Sequence, residues 1–213
     1  MTDITIIGSG NMARGIGTRA VAAGRSLQIL DRKPAKAEAL AAELGAQVTA
    51  GSTESVPAGA LVVLALPYDA AREMVTRYGA DLAGKTVIDI TNPIDFATFD
   101  SLVVAPGTSA AEEIQALAAP GVTVVKAFNT TFAGTLVAGS VAGQPLDVFI
   151  ASDSADARAQ VASFVTDAGL RPIDVGPLRR ARELDGFQFL VMTLQANPAF
   201  ESFNWNTALK ILV

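Results

Sequence analysis

The chain has 213 residues, half of them hydrophobic and only 17% charged, with a net charge of −5. That suits one compact domain with at most a small appendage. It argues against a general nucleic-acid binder, which needs a basic face, and no apolar run reaches the roughly 20 residues of a membrane-spanning helix. There is no His and no Cys, so imidazole bases, thiolate nucleophiles, disulfides and His- or Cys-ligated metals are not expected. Asp3 precedes a strand-length apolar run and no basic leader is present, so the expected compartment is the cytoplasm. The chemistry left over is the kind performed by positioning two organic groups against each other, of which hydride transfer is one case.

Short apolar runs alternate with amphipathic stretches along the chain. Strands are predicted at 4–8, 26–31, 46–49, 60–67, 86–91, 122–128, 146–152 and 170–176. Helical patterns fill 11–23, 34–44, 68–79, 109–118 and 155–168, and a last long helix begins near 178 and halts at Asn197-Pro198. The runs at 60–67 and 122–128 are apolar at nearly every position, as in strands buried on both faces of a parallel sheet. This order predicts an α/β fold: a doubly wound parallel sheet with a dinucleotide-binding Rossmann domain over 1–177. A small C-terminal helical lobe, residues 178–213, is expected to pack on it and to leave a ligand cleft between them.

The first crossover carries ITIIGSGNMARGIG, with Gly8, Gly10 and Ala13 at fingerprint spacing between strand and helix. Gly8 allows the turn, Gly10 lets a pyrophosphate reach the helix N–H groups, and Ala13 keeps the helix face thin. The second strand ends in Asp31, Arg32 and Lys33, followed by Lys36. Asp31 favours a ribose hydroxyl and hence NAD, whereas the three cations favour the 2′-phosphate of NADP, and the balance favours NADP. Leu66 and Pro67 end the fourth strand and are expected beneath the nicotinamide. Thr91 and Asn92 follow the fifth strand and offer hydrogen bonds to ribose or carboxamide. The sixth strand ends in Lys126-Ala-Phe-Asn-Thr-Thr-Phe, which places Phe128, Asn129, Thr130 and Thr131 where a second substrate would meet the nicotinamide.

Taken together, IIGSGNMARGI, DRKPAK, LALPYDAA, VVKAFNTTFAGTL, GLRPIDVGPLRRAREL and the closing ALKILV resemble the NADPH-dependent reductases of the deazaflavin coenzyme F420. The cytosolic oxidoreductase domain of the STEAP metalloreductases is related to them. The resemblance implies hydride transfer between NADP(H) and F420, in a homodimer. It places Ser9, Gly10, Asn11 and Met12 at the pyrophosphate, Arg32 and Lys36 at the 2′-phosphate, and Leu66 and Pro67 by the nicotinamide. The 128–133 loop and the C-terminal lobe would bound the deazaflavin.

Two alternatives stay open. The acceptor of an NAD(P)H-dependent reductase could be a flavin, a quinone, or a small carbonyl or imine. A carbonyl would need a proton donor, for which Tyr68, Lys126 and Asp89 are the candidates. A non-catalytic NADPH sensor is the other alternative, and a nicotinamide face sealed by the Phe203–Trp205 tail would favour it.

Overall fold

The computed structural model describes residues 2–212. Two β-α-β runs make up most of it. The first comprises β1 (Ile4–Ile7), α1 (Asn11–Ala22), β2 (Leu27–Asp31), α2 (Pro34–Leu44) and β3 (Val48–Ser52). The second comprises β4 (Leu61–Leu64), α3 (Tyr68–Tyr78), β5 (Thr86–Asp89), α4 (Ala110–Leu117) and β6 (Thr123–Lys126). Next come α5 (Ala133–Ala138), a hairpin of β7 (Ser140–Val141) and β8 (Gln144–Pro145), then β9 (Asp147–Ala151), α6 (Ala155–Asp167) and β10 (Arg171–Gly176). A 3-10 turn, Leu178–Arg180, leads into α7 (Ala181–Ala196).

The sheet runs β10-β9-β6-β5-β4-β1-β2-β3. The first six strands are mutually parallel, and the winding reverses between β1 and β4, which creates a crevice at their carboxyl ends. Alternate side chains serve opposite faces. Ile4, Ile6, Ile29 and Val63 pack against α1, α2 and α6, while Ile7, Val62, Leu64 and Val87 pack against α3 and α4. Burial on both sides explains why these strands carry almost no polar positions.

The expected doubly wound parallel sheet is present in these six strands, and the last two run in the opposite sense. β9 meets β6 antiparallel through Lys126 and Ala151, and β10 runs parallel to β9. The cause is the connection out of β6. It holds a six-residue helix and a hairpin instead of one long crossover helix, so the chain is released from the parallel repeat. Neither α5 nor the hairpin was anticipated.

The predicted strands 60–67, 86–91 and 122–128 also ran too long. In register, Ile7, Leu64, Asp89 and Lys126 form the last full rung across the sheet. Beyond that rung Gly8 turns away with φ +108, and the residues that follow on each neighbour become crevice loops. The third strand lies slightly later than the predicted 46–49.

The described residues of the tail after α7 form no helix, yet they are tied to the sheet. Lys210 Nζ donates to Asp147 Oδ1 at 2.6 Å, and the Ile211 N–H donates to Oδ2 at 2.9 Å. Burial alone would raise the Asp147 carboxyl, but Arg171, Lys210 and the Ile211 N–H together outweigh it and hold the pKa at about 2. A carboxylate whose folded pKa lies below its ordinary 3.8 adds stability above that value and loses it as pH falls toward 2. Asp147→Asn is therefore expected to cost on the order of 2 kcal/mol at neutral pH, with the deficit shrinking between pH 4 and 2. Urea unfolding of both proteins across that range measures it, and faster amide exchange at residues 207–212 would accompany the loss.

Candidate functional site

The glycine loop is where the sequence constrains the structure most. A side chain on Gly8 would be driven into the carbonyl of Ala65, just past the end of β4, so that glycine belongs to the fold. Gly10 is different. It has φ −80 and ψ −170, an ordinary extended conformation, and a Cβ there would meet nothing within 4 Å. Neither backbone strain nor a close neighbour requires glycine at this position, and the open space leaves room for a ligand to reach the backbone. No side chain caps α1 and no acidic residue stands in its first turn, which leaves its N–H groups and dipole to an anion. Further along α1, a Cβ on Gly15 would lie 2.8 Å from that of Leu136 on α5 and one on Gly17 2.6 Å from Leu44 of α2, so these glycines let neighbouring helices close on α1.

On one side of this loop lies a hollow of about 270 Å³. Gly8, Asp31, Arg32, Lys33 and Lys36 line it, together with Leu66 and Pro67. Leu66 and Pro67, expected beside the nicotinamide, thus stand with the residues that follow β2. The Asp31 carboxylate is engaged on both oxygens. Ser9 Oγ donates to Oδ2 at 2.7 Å, and the Lys33 N–H donates to Oδ1 at 2.9 Å. Asp31 therefore organises the turn that presents the cations, a role that its residue type did not reveal. The opposite wall is one face of α3, Ala70, Glu73, Met74 and Arg77, and sequence reasoning missed it. Their i, i+3, i+4, i+7 spacing, one face of a helix, was the available signal.

On the other side of the α1 N-terminus is a second hollow of about 430 Å³. Asn11, Met12, Ile90, Asn92, Thr131 and Phe132 line it from the sheet side, and Gln188, Met192, Trp205 and Asn206 from α7 and the tail. Phe128 turns the chain into this wall with φ 63, a backbone conformation that costs an aromatic residue free energy and that clusters at functional sites. Of the three expected pocket residues in the following loop, only Thr131 lines the hollow. Its hydroxyl donates to the Phe128 carbonyl at 2.6 Å. Asn129 stands behind Asn92, donating to its Oδ1 at 3.2 Å, while Asn92 Nδ2 returns a bond to the Asn129 carbonyl at 3.2 Å. Thr91 and Thr130 are likewise buried outside the lining.

Gln188 was not anticipated. It is 1% exposed and its Oε1 has no protein partner, so it is free to accept from a ligand or water in the hollow. Trp205 meets Phe132 edge-on, with ring centroids 5.7 Å apart, and Phe203 packs on Phe200. The tail walls the hollow and does not fill it.

The candidate proton donors are committed elsewhere. Lys126 is fully buried. Its ammonium lies 2.9 Å from Asp89 and 2.7 Å from Asp185 of α7, and donates to the Thr91 carbonyl at 2.5 Å. Burial opposes the charge, but the carboxylates of Asp185 and Asp89 outweigh it and raise the lysine pKa. Tyr68 packs between α3 and α4 with its hydroxyl donated to Glu113. Burial, then that hydrogen bond, push its pKa well up. Neither side chain lines either hollow.

The residues present fit an NADP(H) molecule laid across the α1 N-terminus. There is an uncapped helix start with room for a pyrophosphate at Gly10, a cation cluster on one side and an amide-lined hollow on the other. Comparison with known proteins agrees. A family model described as "NADP oxidoreductase coenzyme F420-dependent" matches residues 3–93. The chain is 32% identical over 182 residues to Metalloreductase STEAP3 of Rattus norvegicus, covering 85% of this chain but only 35% of that protein's length. It is 30% identical over 203 residues to the F420-dependent NADP reductase of Methanothermobacter marburgensis, covering 88% of this chain and 89% of that one. A crystal structure from Arthrobacter sp. FB24, proposed to be an F420-dependent NADP reductase, superposes with a TM-score of 0.80 at 27% identity, over 92% of this chain and 94% of that one. With near-full-length similarity to a reductase and a site shaped for the dinucleotide, the chain belongs to the F420-dependent NADP oxidoreductase family and is an NADP-dependent oxidoreductase.

Proposed function

We propose that the protein transfers hydride between NADP(H) and coenzyme F420. The observation that carries this reading is the character of the second hollow. Its lining is amides, a hydroxyl, thioethers and aromatic rings, with Tyr68 and Lys126 tied up elsewhere. Reducing a carbonyl or imine calls for a positioned acid, whereas a deazaflavin spreads the incoming charge over its own rings. Bound NADPH supplies the hydride. What the chain contributes is placement, which is where most of the rate of such a step originates.

In this reading Ser9, Gly10, Asn11 and Met12 hold the pyrophosphate, and Arg32, Lys33 and Lys36 take the 2′-phosphate. Asp31 keeps the turn that carries them in shape. Asn92, braced by Asn129, and Gln188 hydrogen-bond the carboxamide and the polar edge of the acceptor, while Met12, Phe132, Met192 and Trp205 exclude water. The Trp205 tail walls the hollow without filling it, which favours turnover over a sensor.

The test is a mixture of protein, NADPH and oxidised F420, followed by loss of the deazaflavin absorbance, with FMN as a parallel acceptor. F420 turnover at least about tenfold more efficient than FMN turnover is expected. Comparable or faster FMN reduction, or no reaction by a protein that binds NADPH, overturns the acceptor assignment.

A further inference from the structure

The first hollow holds a cation that stands opposite the others. Arg77 lies on the α3 wall, across from Arg32, Lys33 and Lys36 of the β2–α2 turn. Its guanidinium is paired with the carboxylate of Glu54, in the loop after β3. Glu54 is 76% exposed and Arg77 is 40% exposed in their side chains, so water screens the pair and it holds the fold together only weakly. A phosphate dianion offers a guanidinium more than a screened carboxylate does. It carries greater charge and can take two parallel N–H bonds. Two further carboxylates line the hollow, Asp31, whose oxygens accept from Ser9 and from the Lys33 N–H, and Glu73 on the α3 wall, and the four cations around it outnumber them.

We propose that Arg77 is a fourth cation of the 2′-phosphate site, parked on Glu54 until the dianion displaces that carboxylate. The preference for NADP over NAD is then set from both walls of the hollow, and Glu54 competes with the phosphate. The inference rests on the NADP(H) reading of this hollow and is independent of the hydride acceptor.

Calorimetric titration of wild type, Arg77→Ala and Glu54→Gln with NADP+, NAD+, 2′,5′-ADP and 5′-ADP tests it. Both side chains are exposed, so unchanged urea midpoints are expected and serve as the folding control. Arg77→Ala should weaken NADP+ and 2′,5′-ADP about tenfold, as for the loss of one hydrogen-bonded charge, and leave NAD+ and 5′-ADP within about twofold. Glu54→Gln should tighten the two 2′-phosphate ligands alone. Equal losses for all four ligands in Arg77→Ala would make the residue an adenine or structural contact and overturn the proposal. No change in Arg77→Ala would overturn it too. Unchanged or weaker NADP+ binding by Glu54→Gln would overturn the competition. Wild-type protein that did not prefer 2′,5′-ADP to 5′-ADP would bring down the NADP reading itself, whatever acceptor is reduced.

Discussion

Replacing Gly10 with valine is expected to abolish useful cofactor binding while leaving the protein folded. At this position the backbone is in a conformation open to any residue, and no protein atom lies within 4 Å of the added Cβ. The fold therefore loses at most about 1 kcal/mol, the difference between glycine and a branched residue at a helix cap. The cofactor loses far more, because the side chain occupies the approach of the pyrophosphate to the α1 N–H groups. Two charge-assisted backbone bonds, at about 1.5 kcal/mol or more each, correspond to at least a 100-fold weaker NADP+ complex. Gly8→Ala is the contrasting variant. Its methyl group collides with the Ala65 carbonyl, so folding and binding should fail together. Titration with NADP+ alongside urea unfolding separates the two cases. Normal NADP+ affinity in Gly10→Val would remove the cofactor from this loop.

The second large effect is expected at Lys126. Lys126→Met leaves Asp89 and Asp185 facing each other in the core without the ammonium between them. Removing one partner of a buried ion pair typically costs about 3–5 kcal/mol. The loss should depend on pH in a definite sense. Asp185 already has a raised pKa, chiefly from burial, with Lys126 lowering it and Asp89 raising it further. Without Lys126 the rise is larger. A carboxyl whose folded pKa is raised binds its proton more tightly when folded, so stability falls as pH climbs from the unfolded value through the folded one. The variant should thus recover as pH drops from neutrality toward 4, where wild type does not improve to the same degree. Lys126→Met combined with Asp185→Leu removes the ammonium and one carboxylate together and should regain part of the loss, since Asp89 keeps the Thr91 N–H at 2.8 Å. Thermal unfolding of the three proteins at pH 5 and 7.5 measures these differences. Equal destabilisation of Lys126→Met at both pH values would show that packing, and not charge, is what Lys126 supplies. The same triad ties α7 to the rung beneath Asn92, so NADP+ binding by the variant reports whether that tie also shapes the second hollow.

Much of the molecule was legible one segment at a time. The buried strand runs, the glycines behind β1 and the cations behind β2 are local features whose consequences follow from backbone sterics, periodicity and charge. Strand ends were less legible, because a strand stops where its neighbours stop pairing, and the rung from Ile7 to Lys126 is a property of four segments at once. The turn of β9 against β6 had the same kind of origin, in a connection whose short helix leaves no periodic trace.

Roles of individual polar residues were decided further still from the chain's local order. Asp31 reads as a ribose ligand until Ser9 and Lys33 are seen to hold it, and Lys126 reads as a proton donor until two aspartates close around it. Asn129 reads as a pocket residue until Asn92 is found in front of it. Gln188 and Arg77 entered the site only because α7 and α3 pack where they do. Local order alone was enough to show that α1 opens on a glycine turn with free N–H groups, a start shaped for a dinucleotide, because a glycine turn and an open helix end act through the backbone. Which side chains reach the ligands was decided by the tertiary structure, since a polar group's task depends on the partner that reaches it first.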